Sequence, residues 1–118
     1  MQWNSSELKK KLFDQVGSAS VLRLPFYDSM LDRQIQKKVD LSHSDIIIIE
    51  GVFLQRSEWR ESFDYLLYID SPRTTRFQRE NDELKKNLNK FKNRYWKAED
   101  YYIDNINPAK KADAIISN

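Results

Sequence analysis

Asp45-Ile46-Ile47-Ile48-Ile49-Glu50-Gly51 is the stretch on which the fold turns. Four consecutive β-branched residues without polar alternation predict a strand buried on both faces, the pattern of a parallel sheet covered by helices. Phe63-Asp64-Tyr65-Leu66-Leu67-Tyr68-Ile69-Asp70 predicts a second buried strand, and Ala112-Asp113-Ala114-Ile115-Ile116 a short last one. Between these two, Phe77, Leu84, Leu88, Phe91, Tyr95, Ala98 and Tyr102 are spaced 7, 4, 3, 4, 3 and 4, one stripe along a long helix. Asn87, Asn89 and Asn93 are indifferent helix formers and place a break near Asn93. Ser71-Pro72 offers an N-cap followed by proline at the first helical position, and Asn107-Pro108 caps a final turn.

Upstream of the isoleucines, Asn4-Ser5-Ser6-Glu7 precedes Leu8, Leu12, Phe13 and Val16, then Gly17. Polar caps, a spacing near 3.6 and a terminal glycine predict a short amphipathic helix. Ser20–Leu24 alternates and stops at Pro25, a short strand. Residues 26–40 are polar with scattered apolar positions and read as a loop, with a second strand near 37–41. Gln55–Ser62 reads as a short polar helix around Trp59. Strand, helix, strand, helix, strand is an α/β order. There is no internal repeat and no linker, and 118 residues predict a single domain, 1–118, or part of one.

Composition narrows the chemistry. The chain has no Cys and one His, His43, which excludes disulfides, thiol chemistry and His/Cys zinc sites. It also points to a reducing compartment, so a cytoplasmic location is expected. His43 itself lies between Ser42 and Ser44 and reads as a loop residue. Twenty Lys+Arg against eighteen Asp+Glu leave +2, too little for a strong polyanion-binding field. No apolar run approaches the ~20 residues of a membrane span, and Met1-Gln2-Trp3 opens no signal peptide. The only glycines are Gly17 and Gly51, neither followed by Lys-Ser or Lys-Thr. A Walker A loop and a dinucleotide fingerprint are therefore excluded from this chain.

Four places carry candidate chemistry. Glu50, at the end of an expected parallel strand with Gly51 allowing a close turn, can hold Mg2+ or its water beside a phosphate; the plainer alternative is a solvated glutamate. Arg76 and Arg79, three apart on one helix face, can clamp phosphoryl oxygens, with Arg94 further along; alternatively they pair with Glu80, Asp82 and Glu83. Lys85, Lys86, Lys90, Lys92, Arg94 and Lys97 are interleaved with Phe91, Tyr95 and Trp96. That mixture suits single-stranded nucleic acid. Phe91 and Tyr95 lie on the apolar stripe, however, and acids flank the run, so a solvated helix or a lid over an anionic ligand fits better. Finally, Pro25-Phe26-Tyr27-Asp28, with Asp32 and Arg33 behind it, places a tyrosine and acids at a strand end that can recognise the hydroxyls of a small substrate, or simply build a turn.

In this order the segments resemble the C-terminal two-thirds of a uridine kinase-like P-loop kinase, of the phosphoribulokinase and uridine kinase family. The resemblance runs through Leu24-Pro25-Phe26-Tyr27-Asp28, Asp45 to Leu54, Phe63 to Asp70, Arg73-Thr74-Thr75-Arg76-Phe77-Gln78-Arg79-Glu80, Lys92 to Tyr102, and Ala112 to Ile116. It implies a partial three-layer α/β fold with a parallel sheet, a helical lid at approximately 73–103, and the first, P-loop strand missing. It implies ATP and Mg2+ in the intact enzyme, with Glu50 as the catalytic and metal-side acid. Tyr27, Asp28 and Asp32 would contact substrate, and Arg76, Arg79 and Arg94 the ATP phosphates. Asp32 stands where uridine kinases carry a His, so the resemblance does not carry uridine over as the acceptor. The family's catalytic base is expected on the missing part, so the chain is expected to be inactive alone. The missing strand would fall between those of Glu50 and Tyr68, leaving two unpaired edges for a partner or a second copy. The alternative is a non-catalytic interaction module derived from the kinase fold; partners are expected to be a small molecule, with neither nucleic acid nor membrane.

Overall fold

The computed structural model describes residues 4–118; Met1-Gln2-Trp3, read above as no signal peptide, lies outside the described residues. The chain forms two compact units, Met1–Ser62 and Phe63–Asn118.

In the first unit the Asn4 side chain accepts from Ser6 N at 3.0 Å and Glu7 N at 3.4 Å, starting α1 (Ser5–Leu8) at the expected N-cap. The helix then widens into a π-helical turn, Lys9–Phe13, rather than continuing as one α-helix. Phe13 is buried at its end and stacks on Trp59, ring centres 5.0 Å apart. Trp59 Nε1 donates to the Ser5 carbonyl at 3.1 Å. Gly17 keeps an ordinary backbone conformation with open space around it, so the left-handed glycine cap does not form.

Residues 21–40 form a β-hairpin: the expected short first strand runs on through Pro25 to Asp28, and the second strand expected near 37–41 is present and begins earlier, at Arg33. β1 (Val21–Asp28) pairs antiparallel with β2 (Arg33–Asp40), from Val21 opposite Asp40 to Asp28 opposite Arg33. Only Ile35 and Val39 of β2 are half-buried, too sparse an apolar signal for periodicity to register. Pro25 does not end β1; it sits in the ladder opposite Gln36, tolerated because a two-stranded ribbon leaves each strand one free edge.

The isoleucine segment departs most from expectation. Asp45–Glu50 is extended but joins no sheet among the described residues, and Ile46 and Ile48 are 81% and 87% exposed. An extended backbone becomes a strand through ladder bonds, and no described strand lies against this one. Gln55–Ser62 is a run of turns ending in a 3-10 turn, Arg60–Ser62, and its buried Trp59 serves the core with Phe13 and Leu22.

In the second unit β3 (Leu67–Asp70) pairs parallel with β4 (Ala114–Ser117), Leu67 opposite Ala114 and Asp70 opposite Ser117. The Asp113 carboxylate accepts from Leu66 N at 2.7 Å, and Asp113 N donates to Leu66 O at 2.9 Å, pinning that register. The expected strand at 63–70 is thus shortened, and its burial on both faces is not met. Leu66 is buried, but Leu67, Ile69, Ile115 and Ile116 are exposed. Parallel sheets normally have both faces covered, and this pair has not.

The long helix is broken. α2 (Arg73–Gln78), α3 (Asp82–Lys85) and α4 (Leu88–Lys90) lead through a π-helical turn, Phe91–Tyr95, into α5 (Trp96–Ile106) and α6 (Pro108–Lys111). The breaks fall at Asn81 and Asn87, whose side chains accept from Leu84 N at 2.8 Å and Lys90 N at 3.1 Å. Asn93, where the break was expected, lies inside the π-helical turn. Asparagine ends helices by capping the next one, so position relative to the following turn matters more than propensity. Ser71 does not cap α2; Pro72 takes the cap position, and the buried Ser71 hydroxyl has no hydrogen-bond partner among the described residues. Asn107 is left-handed at φ 53° and Pro108 opens α6, as their order predicted. Of the expected apolar stripe only part packs: Phe77 meets Phe91 edge-on at 5.0 Å, joined at 5.9 Å by Trp96 from outside the stripe, while Leu84, Leu88 and Tyr95 are exposed. No helix among the described residues is long and apolar enough to cross a membrane.

Substitutions at Trp59, Asn81 and Asn93 test these assignments. Trp59→Ala removes the Phe13 stack and should cost about 3–5 kcal/mol in urea unfolding, whereas Trp59→Phe should cost about 1 kcal/mol for the lost hydrogen bond. Equal small effects would contradict Trp59 as the core anchor. Asn81→Ala should cost about 1 kcal/mol and reduce helical circular dichroism, while Asn93→Ala should not; the reverse order would restore the break to Asn93.

Candidate functional site

The hairpin brings Tyr27, Asp28 and Asp32 to one tip. Asp28 spends its carboxylate on the turn, accepting from Met30 N at 2.9 Å and Leu31 N at 3.2 Å. That bend leaves Asp32 left-handed, φ 48°, a conformation Asp tolerates better than most residues. The Tyr27 hydroxyl donates to the Asp32 carboxylate. This bond, and to a lesser degree desolvation, raises the Tyr27 pKa above its ordinary value. Tyr27 and Asp32 line a shallow open depression together with Arg33 and Gln34. Asp28 is therefore a turn-building residue, while Tyr27 and Asp32 present a phenol and a carboxylate to whatever enters. Arg33 already stood behind this group in the sequence; Gln34 had no signal there, because its place depends on β2 folding back.

Glu50 ends the unpaired extended segment and is exposed. Gly51 has no left-handed backbone, and a Cβ there would meet only the Leu54 side chain, at 3.4 Å and beyond. The close turn attributed to Gly51 is thus not what requires a glycine. Among the described residues no three metal-ligating side chains converge. A lone carboxylate still fits Mg2+, which commonly takes one or two carboxylates and fills its remaining positions with water and phosphate oxygens.

In the second unit Arg76 and Arg79 both reach the carboxyl ends of the parallel strands. Arg76 Nε donates to the carbonyl of Ser71, the residue after β3, at 3.0 Å. Arg79 Nη2 donates to the side chain of Asn118, the residue after β4, at 3.5 Å. Asn118 N in turn donates to Asp70 O at 2.8 Å, tying the two strand ends together. This is the end of an open parallel sheet where ligands bind. Neither arginine pairs with Glu80, Asp82 or Glu83; Arg76 pairs instead with Glu99 on α5. Arg79 has no carboxylate partner among the described residues, and the same holds for Arg94, which is exposed on the π-helical turn.

Three further residues complete this cluster without having been singled out beforehand. Arg73 donates to Glu99 at 3.0 and 3.2 Å and to Asp100 at 2.6 Å, and its guanidinium lies 5.3 Å from the Trp96 ring centre. The bond to Asp100 is the main cause raising the Arg73 pKa; desolvation opposes it and attraction to Glu99 adds to it. Residues 73 and 99 are 26 positions apart, so no local spacing could have joined them. In the basic-aromatic run, Phe91 is buried and Trp96 packs on Phe77 and under Arg73. Those two rings serve the helix packing.

No protein-family model and no curated protein sequence matches the chain. Among solved structures it is similar to one described as a possible uridine kinase from Bacillus stearothermophilus. The identity is 45% and the TM-score 0.81, over 98% of this chain and 55% of that one. The chain has a uridine kinase-like fold and spans little more than half the length of that relative.

The hairpin tip makes a pH prediction. The protonated phenol is the bonded form, so this bond supports the fold below pH 10.0 and is lost as pH rises through the raised Tyr27 pKa. In a 13C NMR titration of the tyrosine Cζ signals, Tyr27 should have a midpoint above 10.0, and Asp32→Ala should return it to about 10. A Tyr27 midpoint that ignores this substitution would remove the bond from the site.

Proposed function

We propose that this chain is the C-terminal part of an ATP-dependent small-molecule kinase that moves the γ-phosphoryl group of ATP onto a substrate hydroxyl. The observation that carries this reading is the placement of Arg76 and Arg79 at the carboxyl ends of β3 and β4, within a fold 45% identical to a possible uridine kinase. Two guanidiniums there suit the oxygens of a polyphosphate, and stabilising the charge that spreads over them is most of what a phosphoryl-transfer enzyme does. Arg94, exposed and without a carboxylate partner among the described residues, is a third cation for the same ligand. Mg2+ when bound supplies further charge neutralisation, and Glu50 is the residue that would hold it or its water. Tyr27 and Asp32 bind the acceptor: the carboxylate accepts from a hydroxyl, while the phenol donates or accepts. A nucleoside-like acceptor fits this pair.

Catalysis needs groups this chain lacks. No glycine-rich phosphate loop is encoded in it, and the P-loop strand and general base belong to the first part of such a kinase. Positioning and proton transfer are then missing, and the chain alone turns nothing over. A cytoplasmic location accords with the absence of cysteine. A second reading, a non-catalytic interaction module, draws on the exposed Ile46–Ile49 segment, whose free backbone could pair with another chain or a second copy.

The deciding experiment joins the part of the Bacillus stearothermophilus protein that this chain does not cover to the present chain. Phosphorylation of a nucleoside panel with Mg-ATP is then assayed. The chimera should be active and the chain alone inactive, and Arg76→Gln in the chimera should lower kcat about 100-fold. A folded chimera without nucleotide binding, together with concentration-dependent self-association of the chain in sedimentation, would replace the kinase reading with the interaction module.

A further inference from the structure

Glu99 is the most heavily engaged carboxylate of the second unit. One of its oxygens accepts from Arg73 Nε and Nη2, the other from Arg76 Nη2, and its side chain is only 18% exposed. The two arginines depend on it unequally. Arg73 has a second carboxylate, Asp100, and the face of Trp96. Among the described residues Arg76 has only Glu99 as an ionic partner, with the neutral Ser71 carbonyl on Nε, and is itself 45% exposed. Removing the Glu99 charge would free Arg76 for another anion and leave Arg73 held. Helix α2 would remain docked through Arg73 and through the Phe77 contacts with Phe91 and Trp96.

Resting on the reading of Arg76 as a phosphate-binding residue, we propose that Glu99 is a positioning residue that holds Arg76 in reserve. Its carboxylate occupies the guanidinium nitrogen a phosphate oxygen would take, and a polyphosphate binds by displacing it. Carboxylate and phosphate compete for arginine because both match the same planar fork of donors. The Arg76 side of the pair is 45% exposed, so a ligand carrying several negative charges can reach the guanidinium and compete with Glu99 for it. The Ser71 carbonyl keeps the freed guanidinium over the strand ends instead of letting it swing into solvent. Glu99 thereby sets the ligand charge needed to engage Arg76: a triphosphate displaces it more readily than a monophosphate.

The test uses the full chain and inorganic tripolyphosphate, with affinity measured by calorimetry. Glu99→Gln should tighten binding about tenfold. Asp104→Asn removes the same charge from an exposed position on the same helix and should change it less than twofold. Adding Arg76→Gln to Glu99→Gln should abolish the gain. Glu99→Gln binding like Asp104→Asn, or more weakly than the wild type, overturns the inference. If Arg76→Gln alone weakens binding in that case, the phosphate role of Arg76 survives. If Arg76→Gln binds as the wild type does, that role fails as well. Should Glu99→Gln not fold, the wild type decides. On titration with tripolyphosphate, the Glu99 carboxyl 13C and Arg76 Nε signals should move along one binding curve. A Glu99 signal that stays still while Arg76 moves overturns displacement.

Discussion

A backbone N–H or C=O taken from water must find a partner, and in a sheet that partner is another strand. This constraint separates the two kinds of β structure here. β1 and β2 satisfy each other through a short turn, so the hairpin needs nothing beyond residues 21–40 and the buried Leu22 that seats it. β3 and β4 also pair, but a parallel pair requires a crossover, and all the helices between Arg73 and Lys111 lie within that crossover. The Ile46–Ile49 segment has the strongest strand composition in the chain and joins no described ladder. Composition can prepare a segment for a sheet, but only a neighbour makes it a strand.

The same parallel pair organises the second unit's chemistry. Because β3 and β4 run in one direction, their carboxyl ends coincide, and Ser71 and Asn118 stand side by side as acceptors for Arg76 and Arg79. α2 begins immediately after β3, which places its arginines over that end within two turns. α5 returns Glu99 to Arg73 and Arg76, and Asp100 to Arg73. The arginine cluster is thus a product of topology: a helix leaving the sheet meets a helix coming back.

Much of this was legible locally. Asn4 as an N-cap, Asn107-Pro108 as a helix junction and Ala114–Ile116 as part of a strand depend on a few adjacent residues, and the structure keeps them. Tyr27 and Asp32 were also legible as a pair, since five residues around a turn can meet only at its tip. The breaks at Asn81 and Asn87 were misplaced because asparagine's side chain competes for backbone donors ahead of it, which a propensity scale does not record. Gln34, Glu99 and Asp100 were not legible as site residues: each owes its place to a chain reversal.

The sequence by itself determined the α/β order, the apolar segments, the absence of a phosphate-binding glycine loop and the identity of the arginines, because these follow from residue type and short spacing. Only the tertiary structure decided which apolar segments become strands and which carboxylates the arginines meet. Ladder partners and ion-pair partners are separated by tens of residues, and their approach is set by how the chain folds back, not by what stands beside them.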